Sequence, residues 1–150
     1  MLDSDIQKIV DILNNNLFLL YNRPQCFNHG DYNPGNLILL ADETLVAIDF
    51  NNYNLGYGDP EFELGTILFD NDISDNFKNG FIYTYFSAGL PDNFYSLMNF
   101  YYIYGFIADL CECDTASNKN SELISLILQY NYSVKDCEKE IFKRFANLHL

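Results

Sequence analysis

Apolar residues at the start of the chain recur at helical spacing. Ile6, Ile9, Val10, Leu13 and Leu17 share one face of a 3.6-residue repeat. With Asp3 or Ser4 as a cap, and the Asn14-Asn15-Asn16 run weakening the end, they predict a helix over 4–16. The pattern then changes. Pro24 keeps Arg23 extended, so 21–25 reads as a loop. Leu37-Ile38-Leu39-Leu40 is a short continuous apolar run, and Ala41 to Thr44 is a turn. Leu45-Val46-Ala47-Ile48-Asp49-Phe50 is a second run, and the two predict a β-hairpin. Residues 51–60 hold two Gly, one Pro and four Asn or Asp, which predicts a loop. From Glu61 onward the period is helical, with helices expected over 61–70, 75–87, 92–109, 120–130 and 134–147. Gly89 reads as a helix stop, Pro91 as an early helix position, and Ser133 with Asp136 as a capping pair before the last helix. The fold class is therefore α+β, mainly α, with one small β-hairpin.

The bulk composition narrows this picture. A chain of 150 residues, 49% apolar and 17% aromatic, has one domain's length and enough apolar surface for a packed core. The Tyr and Phe stripe at 94–106 has helical spacing and reads as core. No apolar run has the length of a membrane span; Phe100 to Leu110 is short and broken by Gly105 and Asp109. The start, Met1-Leu2-Asp3-Ser4-Asp5, is acidic where a secretory signal is basic and then apolar, so a cytoplasmic location is expected. A net charge of −13 with 8 basic residues argues against a nucleic-acid partner, whose phosphates need a basic footprint. The same field raises the local concentration of small cations, although acidity serves solubility equally well. Cys26, Cys111, Cys113 and Cys137 lack the paired spacing of a zinc site and read as reduced structural thiols.

The chemistry concentrates around the hairpin. Asp31 and Asn36 lie on the loop that enters it, and Asp49 lies where it ends. A loop–strand–turn–strand path returns position 49 beside position 36. One amide and one carboxylate oxygen then face a common point, a donor set suited to Mg²⁺, which also binds phosphate oxygens. Asp31 is a separate carboxylate placed to orient a hydroxyl and accept its proton. Gly30 allows the sharp backbone turn just before it.

Three motifs in order, His29-Gly30-Asp31-x-x-x-x-Asn36, Ile48-Asp49-Phe50 and Gly58-Asp59-Pro60-x-x-Glu63-Leu64, resemble the aminoglycoside and choline phosphotransferase family, relatives of the protein kinases. Pro34 matches as well. The resemblance implies the C-terminal lobe of a protein-kinase-like fold, whose hairpin carries the catalytic and metal-binding loops. It implies Asp31 as the catalytic carboxylate, and Asn36 and Asp49 as the residues that hold magnesium and, through it, the nucleotide. His29 would tie the loop to neighbouring backbone, and Glu63 would brace the loop where the family usually has Asp. The implied reaction moves the ATP γ-phosphate to a hydroxyl of a small cationic substrate, aminoglycoside- or choline-like.

The sequence departs from that pattern in several places. Asn33 replaces the Lys of protein kinases, the interval from Asp49 to Asp59 is long, and the extra methylene of Glu63 is expected to loosen the brace. The 28 residues before His29 read as one helix and a loop, with no Gly-rich loop and with Lys8 in a helical pattern. The expectation is one kinase-like C-terminal lobe over 1–150, without the N-terminal nucleotide-binding lobe and with weak or no turnover alone. Its exposed face would favour a homo-oligomer or a partner that supplies the lobe. Two other readings stand beside this: a non-catalytic remnant that binds or interacts, and an accidental motif in which Asp31, Asn36 and Asp49 serve as turn and strand-end residues.

Overall fold

Helix α1 (Leu2–Asn15) forms on the predicted apolar repeat, with Ile9, Ile12 and Leu13 buried. It begins ahead of Asp3 and Ser4, which lie inside the helix. This computed structural model describes residues 2–50, 56–70, 72–112, 124, 125, 127 and 128. Among them the chain divides into two compact units. One is built from residues up to 21 and from 90 onward, the other from residues 22–89.

In the first unit α1 packs against α4 (Phe94–Glu112). Phe94, Leu97, Met98 and Tyr101 recur at helical spacing and are buried, as are Phe100 and Ile103. The aromatic stripe is thus core at Phe94, Phe100 and Tyr101. Pro91 precedes the helix, and its carbonyl accepts a hydrogen bond from the Phe94 amide at 3.0 Å. No helix among the described residues is long and apolar enough to cross a membrane. Of the helix expected over 120–130, residues 124, 125, 127 and 128 are described and are helical. The helix expected over 134–147, with its Ser133 cap, lies outside the described residues.

The second unit carries the motifs. Strands β2 (Leu37–Leu39) and β3 (Leu45–Ala47) pair antiparallel, Leu37 opposite Ala47 and Leu39 opposite Leu45. The turn closes through Leu40 N–H to Thr44 O at 2.8 Å and Glu43 N–H to Leu40 O at 3.0 Å. The Asp42 carboxylate accepts the Thr44 amide, which holds its pKa below the ordinary carboxylate value.

A second strand pair was not legible in the pattern. Strand β1 (Cys26–Asn28) pairs antiparallel with β4 (Gly56–Gly58), inside the segment expected to be loop. The Asn28 side chain runs so close to Gly58 that a Cβ there would sit 3.1 Å from Asn28 Nδ2, which favours glycine. Helix α2 (Pro60–Phe69) follows at once. Asp59 is its N-cap, Pro60 opens the first turn, and Glu61 and Glu63 place negative charge against the positive end of the helix dipole. Leu64, Ile67 and Leu68 are buried. Helix α3 (Asp75–Tyr85) starts at Ser74, whose Oγ accepts the Phe77 amide at 3.3 Å, and Ile82 is buried.

Candidate active site

The loop between β1 and β2 is built from short side-chain-to-backbone bonds. Gly30 takes φ +85°, a left-handed conformation open to glycine and strained for other residues. That turn sets Asp31 on an exposed part of the loop. Asn33 Oδ1 accepts the Gly35 amide at 2.8 Å and starts a single 3-10 turn, Pro34–Asn36, with Pro34 fixing its first φ.

Two amides converge on Asp31. Asn33 Nδ2 donates to Asp31 Oδ1 at 3.0 Å, and Asn36 Nδ2 donates to Asp31 Oδ2 at 3.0 Å and to the Asp31 carbonyl at 2.8 Å. Each carboxylate oxygen keeps a further lone pair, because a carboxylate has about four acceptor sites. With its nitrogen committed to Asp31, the Asn36 amide presents its oxygen end away from that carboxylate.

His29 is a fastening residue. It is 5% exposed, its Nε2 meets the Ile48 carbonyl at 2.8 Å, and its Nδ1 meets the Asp31 amide at 3.3 Å. A carbonyl only accepts and an amide N–H only donates, so these partners assign the proton to Nε2 and the lone pair to Nδ1. The ring stacks on Phe50 at 4.2 Å between centroids. This links the loop to the end of β3, where the Ile48 amide donates to the Asn36 carbonyl at 2.9 Å. The hairpin therefore returns the backbone to Asn36 one residue before Asp49.

Asp49 is exposed and has φ +60°, a conformation uncommon for a residue with a side chain and concentrated at functional sites. At this end of the hairpin Asn36 carries an amide oxygen and Asp49 a carboxylate, both hard oxygen atoms. Among the described residues no group of three or more His, Cys, Asp or Glu forms a metal cluster. A pair of oxygen ligands fits Mg²⁺, which completes its shell with waters and phosphate oxygens, and does not fit zinc.

Beneath the loop stands Glu63, in the first turn of α2. Its Oε1 accepts the Gly30 amide at 2.6 Å and its Oε2 accepts the His29 amide at 3.1 Å. The longer side chain reaches both amides, so the loosened brace expected from the extra methylene is not what the geometry shows. The start of α2 is itself clamped. Arg23 Nε meets Asp59 Oδ2 at 2.6 Å, Nη2 meets Asp59 Oδ1 at 3.2 Å, and Nη2 meets Glu61 Oε1 at 2.8 Å. The Asp59 hydrogen bond is the largest influence on Arg23 and holds its pKa above the ordinary value, against burial, which acts the other way. Burial first, then the negative charge of Glu61, pushes the Tyr85 hydroxyl upward.

Arg23, Asp59 and Asn33 carry much of this organisation; the sequence marks Asp59 as a motif residue and Asn33 as a departure, and gives Arg23 no role. Asp59-Pro60 does signal a helix start. Tyr32, next to Asp31, packs edge-on to His29 and against Phe81 of α3, each at 5.7 Å between centroids, and Phe77, Phe81 and Tyr85 stack along α3.

No curated protein and no solved structure matches the chain. A family model does: that of the phosphotransferase enzyme family, over residues 2–97. The matched stretch takes in the loop, the hairpin, Asp49 and the whole first turn of α2, and it is well over half of the sequence. By that match the chain belongs to the phosphotransferase enzyme family, whose function is kinase-type phosphoryl transfer.

Proposed function

We propose that this chain carries the catalytic loop for transfer of the γ-phosphoryl group of ATP to a hydroxyl of a small cationic molecule of the aminoglycoside or choline kind, with weak turnover when it acts alone. The observation that carries the reading is the Asp31–Asn36 pair. One amide binds the carboxylate through its nitrogen, which leaves its oxygen for a metal, and in this reading Asp31 is the base and Asn36 the metal ligand beside it. In the same reading the described fold belongs to the C-terminal lobe of a protein-kinase-like enzyme, working in the cytoplasm where ATP is at hand.

Asp31 orients the acceptor hydroxyl and takes its proton on a free carboxylate lone pair as the hydroxyl oxygen bonds to the γ-phosphorus. The bond from that phosphorus to the β,γ-bridging oxygen breaks, and ADP leaves with the electron pair. Mg²⁺, when held by Asn36 and Asp49, supplies neutralisation of the phosphate charge. Asn33 and Asn36 keep the carboxylate in one orientation, and Glu63 keeps the loop in one place. The α3 aromatics beside Tyr32 form the substrate side, where ring faces and a net charge of −13 favour a cation.

The test is incubation of the full chain with Mg²⁺, γ-labelled ATP and a panel of aminoglycosides and amino alcohols. Label is expected on a hydroxyl of a cationic panel member, with neutral sugars and diols unlabelled. Equal labelling of neutral alcohols contradicts the cation preference, and transfer to none together with no Mg²⁺-dependent ATP binding contradicts the reaction.

A further inference from the structure

We infer that Arg23 is a positioning residue for the catalytic loop. By locking the first turn of α2 it keeps both Glu63 oxygens on the His29 and Gly30 amides, and so fixes where Asp31 stands. Its consequence for turnover rests on the phosphotransfer reading above; its consequence for the two amides does not.

A continuous set of short contacts runs from Arg23 to the loop. Arg23 lies three residues before β1, the strand that runs directly into the loop. Its guanidinium binds Asp59 with two nitrogens, at 2.6 and 3.2 Å, and reaches Glu61 at 2.8 Å. Asp59 is the N-cap of α2 and accepts the Glu61 amide at 2.9 Å. Its carbonyl accepts Asn28 Nδ2 at 3.2 Å, one residue before His29. Glu63 stands in the same helical turn as Glu61 and accepts the two loop amides. A turn advances 5.4 Å, so a shift at Asp59 and Glu61 carries Glu63 with it. Hydrogen bonds weaken steeply off their geometry, and the amides lose their acceptor before the helix itself is lost.

Charge and shape make the guanidinium hard to replace. Asp59 is 9% exposed and Glu61 is 6% exposed, so one cation stands between two buried carboxylates. Glu61 Oε2 has no hydrogen-bond partner among the described residues, so no second donor serves that oxygen. Only a planar fork satisfies both Asp59 oxygens in one plane while a nitrogen also meets Glu61. Lysine supplies the charge and loses the fork. That separates a positioning role from a purely structural one.

The experiment is amide hydrogen exchange and ¹H–¹⁵N NMR on the full chain, comparing the wild type with Arg23→Lys, Arg23→Met and Glu63→Gln. In Arg23→Lys the amides of α4 and of the β2–β3 hairpin are expected to keep wild-type exchange rates. The His29 and Gly30 amides are expected to exchange at least ~10-fold faster, and the Gly30 proton to move upfield toward its Glu63→Gln position. If Arg23→Met fails to fold, Arg23→Lys alone decides. Wild-type exchange at His29 and Gly30 in Arg23→Lys overturns the inference. So does a loss of protection there that only matches the loss at every other amide of residues 22–89. A wild type that neither transfers phosphate nor binds ATP with Mg²⁺, with the amide response intact, overturns the phosphotransfer reading and leaves this inference standing.

Discussion

Replacing Asp31 by Asn is expected to lower kcat for phosphoryl transfer by roughly 10²–10⁴-fold, the range that a positioned proton acceptor contributes. The substitution keeps size and shape, so the loss isolates chemistry from packing. Asp31 is exposed, and two Asn amides point their donors at its oxygens, at 3.0 Å each. An amide at position 31 offers one oxygen to one of those donors and turns its own NH₂ toward the other. The stability cost is therefore about 1 kcal/mol, one exposed hydrogen bond. ATP binding persists, because the oxygens proposed for magnesium are on Asn36 and Asp49. Single-turnover kinetics beside a thermal melt checks this; wild-type kcat in Asp31→Asn contradicts the assignment.

Glu63→Ala is expected to produce the largest loss of stability at the site. It removes the acceptor of two loop amides, those of His29 and Gly30. Each unsatisfied, partly buried donor costs about 1–3 kcal/mol, so a loss of about 2–6 kcal/mol is expected for the two. Against a domain stability of roughly 5–15 kcal/mol this is severe. Glu63→Asp is expected to fall between the two, since the shorter side chain reaches one amide and not both. Urea titration gives the ordering, wild type above Glu63→Asp above Glu63→Ala. Equal midpoints for all three contradict the brace.

These predictions draw on features that were unequally visible in the sequence. The placement of Asp31, Asn36 and Asp49 was legible because their spacing is tied to one loop and one hairpin. Local pattern also gives the hairpin, and with it the adjacency of Ile48 and Asn36. The β1–β4 pair was not legible. Its second strand is Gly-Tyr-Gly among turn formers, three residues with no apolar alternation, and it forms because β1 offers a partner 30 residues away in register. Arg23 was hidden for a similar reason: its partner Asp59 is 36 residues on, and an isolated Arg before Pro reads only as loop. Asn33 was legible as a departure, the absence of a kinase lysine. Its positive role, holding Asp31 and starting the 3-10 turn, depends on side-chain geometry that spacing does not encode.

The proposed phosphoryl transfer requires that Mg²⁺ and nucleotide bind at the end of the hairpin beside Asp31. Paramagnetic Mn²⁺ in place of Mg²⁺, added with ATP to the ¹⁵N-labelled chain, reads its position. The predicted result is that the Asn36 side-chain amide and the Asp49 backbone amide broaden first, and that Asp49→Asn abolishes the effect. Broadening centred on other acidic residues, with Asn36 and Asp49 unchanged, would contradict it.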